Sequence, residues 1–337
     1  MKRIFVTGTA GFIGFHLARL LLAEGFAVHG FDGLTDYYDV ALKKRRHAML
    51  SQSPSFGTTE AMLEDDQTLQ AAIDGFAPDA IVHLAAQAGV RYSLENPRAY
   101  ISANVVGTMN LMEGARRNEI AHLLMASTSS VYGANTEMPF TETQRVVTPL
   151  TIYAATKMAN EAMAHSYAHL WELPTTMFRF FTVYGPWGRP DMALFKFVRG
   201  ILAGEPIDIY NNGEMRRDFT YVEDLVGAIR RLIEVPPVRP ASPADVPTGD
   251  SLSPVAPYRV VNIGNADQVH LLDFIEAIED ALGKKAIRNY LPMQAGDVLA
   301  TFADASLLRS LIGSVPNTVY REGIRRFVEW YREYYGG

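Results

Sequence analysis

The sequence predicts an α/β protein with a doubly wound parallel sheet and a smaller mixed α/β unit, and three observations carry that prediction. Short β-branched and aromatic runs recur along the chain, helix-length amphipathic segments separate them, and the first run ends on closely spaced glycines. Strands that alternate with helices build βαβ units, and their parallel sheets are covered on both faces.

In chain order, Ile4-Phe5-Val6-Thr7 is the first strand, and over 12–22 apolar residues return at helical spacing. The second strand, 27–31, ends on Asp32. Further strands are expected over 80–84, 122–126 and 175–180, with helices over 104–118 and 153–170 between them. The stretch 236–257 repeats proline with Ser, Asp and Gly and reads as an exposed loop without regular structure. After it come a buried strand over 258–264 and helices over 271–282 and 321–335, the last with Ile324, Phe327, Val328, Trp330 and Tyr331 on one face.

The 337 residues contain no cysteine, which removes disulfides, thiolate catalysis and cysteine-ligated metals. No metal site is expected. A net charge of -6 argues against general nucleic-acid binding, although a few arginines can still converge on a phosphate. The amino terminus lacks a signal-peptide core, and nothing approaches the roughly 20 apolar residues of a membrane span. A cytoplasmic protein is expected.

Gly8, Gly11 and Gly14 are spaced G-x-x-G-x-x-G between the first strand and first helix. Glycine there lets backbone N–H groups and a helix N-terminus approach a pyrophosphate, as in a Rossmann-type dinucleotide site. Asp32, at the end of the next strand, can accept hydrogen bonds from the adenosine ribose and would repel a 2′-phosphate, so NAD is expected over NADP.

Tyr153 and Lys157 stand four apart at the start of a helix, so they share a face. A phenol is a poor base at neutral pH unless positive charge favours its phenolate, and Lys157 with a bound nicotinamide would supply it. Thr128, in the run Ser127-Thr128-Ser129-Ser130 after a strand, can hold the same substrate oxygen.

Together these residues resemble the extended short-chain dehydrogenase/reductase superfamily, and within it the nucleotide-sugar epimerase/dehydratase branch, over 1–335. Leu84-Ala85-Ala86-Gln87, Asn104-Val105-Val106-Gly107-Thr108 and Arg217-Asp218-Phe219-Thr220-Tyr221-Val222-Glu223-Asp224 belong to the same resemblance. Four phrases are similar to the UDP-glucuronate 4-epimerase group: 36–43, 87–93, 183–193 and Met293-Gln294-Ala295-Gly296-Asp297-Val298.

The resemblance implies a Rossmann domain for NAD over 1–178, with 220–264 returning to it, and a nucleotide-sugar domain from 179–219 and 265–337. It implies Gly8, Gly11, Phe12, Ile13 and Gly14 around the pyrophosphate and Asp32, Lys43 and Leu63 around the adenosine half. Leu84, Ala85, Ala86, Gln87, Asn104, Ser127, Lys157 and Phe180 would line the path to the nicotinamide, and Thr128 and Tyr153 would flank the sugar hydroxyl. For the substrate it implies Arg91, Ser129, Thr182, Lys196, Arg217 and Asp297, with Arg189 reaching across from a mobile loop or a partner subunit. A homodimer is implied, paired through the Tyr153 helix at positions such as Met158 and Ala162. Two positions depart from the family pattern: Gly33 follows Asp32 where asparagine is usual, and Met62 stands where an aspartate usually receives the adenine amino group.

Dehydratases and decarboxylases of this branch carry an acid just after the catalytic threonine; Ser129 and Ser130 are neutral, which favours epimerisation of UDP-glucuronate and UDP-galacturonate. The alternatives are a 4-epimerase or dehydrogenase for a neutral UDP-hexose such as UDP-glucose/UDP-galactose, and a non-catalytic NAD-binding sensor.

Overall fold

The computed structural model describes residues 1–294, 296–313 and 317–336, so Ala295 of the last phrase lies outside the described residues. Seven parallel strands form the main sheet: β1 (Arg3–Thr7), β2 (Ala27–Asp32), β3 (Phe56–Glu60), β4 (Ala80–His83), β5 (His122–Thr128), β6 (Thr175–Phe180) and β7 (Tyr258–Ile263). Their spatial order is β7-β6-β5-β4-β1-β2-β3, so the winding reverses between β1 and β4. In such sheets the carboxyl ends flanking the reversal leave a crevice, and ligands bind there.

Every residue of β4, β5, β6 and β7 is buried, as expected for strands covered on both faces. One apolar cluster packs the helix Phe12–Ala23 and the helix Val222–Leu232 on one face, and another packs Leu69, Leu111 and Ala164 on the other. β3 was not legible in the sequence, because Phe-Gly-Thr-Thr-Glu is an edge strand with largely exposed side chains.

A second core gathers Phe195, Phe219, Phe274, Phe327 and Trp330, and it supports short strands at Thr182–Tyr184, Arg216–Tyr221 and Gln268–His270, with a pair at Pro206–Tyr210 and Ile287–Leu291. These runs are too short to show periodicity.

Two expectations need correction. The 236–257 stretch is irregular apart from one turn at Pro243–Asp245, but its return is not exposed: Ser253 and Ala256 are buried, and Arg259 holds Asp250 by two 2.9 Å bonds. Asn104 does not open a helix. It sits inside a π-helical turn, Ile101–Val106, an irregularity that recurs at functional sites.

Candidate active site

A cleft of about 1300 Å³ opens over the carboxyl ends of the sheet and runs between the two cores. The predicted site residues converge on it with one exception. Its first end is built by β1, β2 and the glycine turn. Gly8 has φ +80, and a Cβ there would stand 2.8 Å from Ala85 N, while a Cβ on Gly14 would stand 2.1 Å from Gly8 O. Side chains would therefore fill the cradle that the glycines leave open. The helix Phe12–Ala23 begins here with no side-chain cap and no acid in its first turn, leaving its N–H groups for an anion.

Asp32 anchors this end: its Oδ2 accepts from Ala10 N and its Oδ1 from Leu34 N, both at 2.9 Å. Each oxygen retains a lone pair for a ribose hydroxyl. Lys43 lies 4.3 Å over the Tyr38 ring and donates to the Thr35 hydroxyl at 3.1 Å, while Leu63 lines the same wall. The two departures from the family pattern prove to be one feature, because a Cβ on residue 33 would stand 2.3 Å from Met62 Sδ. The thioether occupies the space above Gly33. Cradle, helix end and Asp32 fit a dinucleotide.

Leu84, Ala85, Ala86 and Gln87 form the middle of the wall. Leu84 N and Ala85 N donate to Thr7 Oγ1 at 3.1 and 3.0 Å, and His83 bridges Thr7 Oγ1 (2.8 Å) and Thr108 Oγ1 (3.0 Å). Burial holds His83 neutral, down to about 3. Asn104 is the exception. Its amide is turned into the protein, accepting from Gln87 N at 2.8 Å and donating to Gln87 O at 3.0 Å, so it shapes the wall from behind and does not line it.

Beneath this wall β5 delivers Ser127 and Thr128, and the helix Ile152–Trp171, capped by Thr151, delivers Tyr153 and Lys157. Burial raises the Tyr153 phenol, while the Thr128 hydroxyl bonded to it and the Arg189 charge pull it back. Lys157 donates to Ala126 O at 2.9 Å, and burial brings it down to about 8 against the opposing pull of Glu161. Thr128 and Arg189, rather than the expected Lys157, thus favour the phenolate in this geometry.

At the far end Ser129, Phe180, Thr182, Lys196, Arg217 and Asp297 line the cleft. Arg91 stands 3.6 Å from Asp297 and 4.8 Å over the Tyr210 ring. Arg217 donates to Leu299 O at 3.2 Å, and burial lowers its affinity for its proton, which favours an anion beside it. Arg189 enters the cleft from its own chain and forks onto Asp191 at 3.0 and 2.5 Å, with Tyr37 donating to the same carboxylate at 3.2 Å. Arg189 thus lines the cleft of its own chain.

The sequence reading passed over Glu161, Arg179 and Tyr37. An arginine inside the apolar run of β6 was itself a signal, since a buried guanidinium calls for a buried anion. Among the described residues no cluster of three or more His, Asp or Glu could hold a metal ion, and no helix is long and apolar enough to cross a membrane.

Comparison with known proteins agrees with this geometry. The sequence model of the NAD dependent epimerase/dehydratase family matches residues 4–242. A probable UDP-glucuronate 4-epimerase of Rhizobium meliloti is 57% identical over 333 residues, covering 99% of this chain and 98% of that protein. Among solved structures, UDP-glucuronic acid 4-epimerase from Bacillus cereus, in complex with UDP-glucuronic acid and NAD, superimposes with a TM-score of 0.87 at 29% identity, over 98% of this chain and 99% of that one. A UDP-glucose 4-epimerase from Thermotoga maritima reaches 0.83 at 26% identity, over 98% and 99%, so backbone likeness does not choose the sugar.

Proposed function

The chain belongs to the NAD-dependent epimerase/dehydratase family, and we propose that it interconverts UDP-glucuronate and UDP-galacturonate. The observation that carries this is the neutral run beside the catalytic threonine: Ser129 and Ser130 line the cleft after Thr128, with no carboxyl group among them. Without an acid or base there, C5 deprotonation has no agent beside the threonine, which favours return of the hydride to the 4-keto sugar.

Gly8, Gly11 and Gly14 with the helix N-terminus would hold the pyrophosphate of NAD, Asp32 the adenosine ribose, and Ala85, Ser127 and Lys157 the nicotinamide half. Bound there, the cofactor would supply the acceptor for the sugar C4 hydride and the donor that restores it. Tyr153 accepts the proton of the C4 hydroxyl, with Thr128 fixing the same oxygen, and gives it back once the sugar has turned over. Arg217 holds the diphosphate. Thr128, Ser129 and Thr182 hold the C5 carboxylate through neutral hydroxyls, which bind it without drawing carbon dioxide out of the β-keto acid.

The outer sides of adjacent helical segments expose Ile101, Val106, Met109 and Ile152, each 41–50% accessible, beside Ala162. These apolar groups support a homodimer paired through this face.

Separate incubation with UDP-glucuronate and UDP-glucose, with no NAD added, tests the activity. UDP-galacturonate should form from the first, and Tyr153→Phe should cut the rate at least about a hundredfold while NAD still co-purifies. Conversion of UDP-glucose alone would establish the neutral-hexose alternative, and no conversion of either would leave an NAD-binding sensor. If Ser129→Ala and Thr182→Val leave turnover and products unchanged, the carboxylate assignment fails.

A further inference from the structure

Behind the reacting groups lies a buried charge system that the mechanism above does not use. Glu161 is one helical turn beyond Lys157, on the same face as Tyr153 and Lys157. Its carboxylate accepts from Ser127 Oγ at 2.6 Å and from Arg179 Nε and Nη2 at 3.0 and 2.8 Å. The Arg179 and Glu161 side chains are only 3% and 9% exposed. Arg179 in turn lies 4.8 Å over the ring of Tyr132, which lines the cleft.

We propose that Glu161, with Arg179 as its counter-ion, is a positioning residue for the reaction, fixing the Ser127 hydroxyl and standing one helical turn from the Lys157 ammonium as its counter-charge. A buried ion pair is weak evidence for stability, because two desolvated charges seldom outperform apolar residues of equal size. This pair touches the catalytic strand and the catalytic helix at once. Ser127 precedes Thr128 on β5, so the 2.6 Å bond sets the strand end that presents the threonine. Lys157 is buried, and its charge is favoured by the Glu161 carboxylate.

The other titratable groups around this centre do not take that role. His83, on β4, is neutral and itself feels the Lys157 charge. Tyr258, on β7, is pushed well above the phenol range by burial and by Glu161. Arg179, on β6, is kept charged by Glu161. Glu161 is the one carboxylate found acting on Lys157 among the described residues.

The test rests on the epimerase reading and uses the full chain carrying NAD. Glu161→Gln keeps the shape and loses the charge, so Lys157 should release its proton at lower pH. The alkaline limb of kcat/KM should then move down by about one pH unit, an extra loss of roughly tenfold at pH 8.5 relative to pH 6.5. Glu161→Asp should return the limb toward its original position. Should Glu161→Gln not fold, Glu161→Gln/Arg179→Met leaves no stranded guanidinium and must carry the same displacement. A profile superimposable on wild type after scaling, in either folded variant, overturns the proposal. Calorimetric NAD affinity of the cofactor-free chain separates the two readings. A wild-type chain that binds NAD but converts no UDP-glucuronate refutes the proposed function, whereas an active wild type with an unmoved limb in the variants refutes only the role of Glu161.

Discussion

Replacing Glu142 by glutamine should stabilise the protein at alkaline pH and much less in mild acid. Glu142 is 8% exposed, and its Oε1 accepts from Asn262 N at 2.8 Å. Burial raises its carboxyl from 4.5 to about 7, with Asp304 adding to the rise while the hydrogen bonds and Arg179 oppose it. Because the folded value lies above the unfolded one, the folded chain binds the proton more tightly between pH 4.5 and 7. The stability this contributes is complete below about pH 4.5 and is lost as pH rises through 7. Above that, the fold carries a buried charge whose cost is at most about 3.4 kcal/mol at 1.36 kcal/mol per pH unit, and about 1–3 after local relaxation. Glutamine is neutral throughout, and its Oε1 still accepts from Asn262. Urea unfolding of both proteins from pH 5 to 8.5 gives the difference directly, since Lys157, Asp218 and every other titrating group are common to the pair. Glu142→Gln should gain about 1–3 kcal/mol at pH 8 and less than about 1 kcal/mol at pH 5. A difference that is flat with pH, or larger at pH 5, would refute the reasoning.

Two further outcomes follow from the cofactor and partner surfaces. Met62→Asp should put a carboxylate where the thioether now covers Gly33, and one partly exposed charge-assisted hydrogen bond of about 1 kcal/mol corresponds to roughly fivefold tighter NAD binding. Titration with nicotinamide hypoxanthine dinucleotide, which lacks the amino group, should show no such gain; equal gains would sink the assignment. Met109→Glu should convert the dimer to a monomer in light scattering, and a wild-type chain already monomeric at micromolar concentration would end the dimer proposal.

How much of this was legible in the sequence depended on how local the physical requirement is. The glycine turn could be read because Gly8 and Gly14 meet obstacles within a few residues or one strand away, and the demand for no side chain is written at those positions. Tyr153 and Lys157 could be read because four residues make one helical turn. Asn104 was placed in the right region with the wrong task, since nothing in Asn-Val-Val-Gly-Thr reveals that a π turn rotates its amide toward the Gln87 backbone. Arg189 could be read as part of a motif, but only the folded chain shows Asp191 receiving it. The Ser127, Glu161 and Arg179 cluster joins residues separated by 34 and 18 positions, and no spacing rule connects them. The partner of a buried charge is fixed by strand order, which the sequence pattern does not specify.

Arg46 makes the same point for the cleft as a whole. It is fully buried, and among the described residues no carboxylate pairs with it; its guanidinium donates to Ala10 O and Tyr38 Oη at 2.8 Å and to Trp187 O at 2.6 Å. A desolvated cation met only by carbonyl and phenol oxygens, with its Nε left without a partner among the described residues, costs stability compared with an apolar side chain of its size. What the arrangement provides is geometry, because Ala10 lies in the phosphate turn and Trp187 lies two residues before Arg189. His16, on the first helix, adds a second tie to the same segment through Pro186 O at 2.8 Å. The turn that fits the pyrophosphate and the loop that presents Arg189 are therefore tied to each other by Arg46 and His16. An epimerase that must release a 4-keto sugar long enough to turn it over, yet keep it in the cleft, needs walls that do not move with the sugar, and Arg46 and His16 fix the wall that carries Arg189.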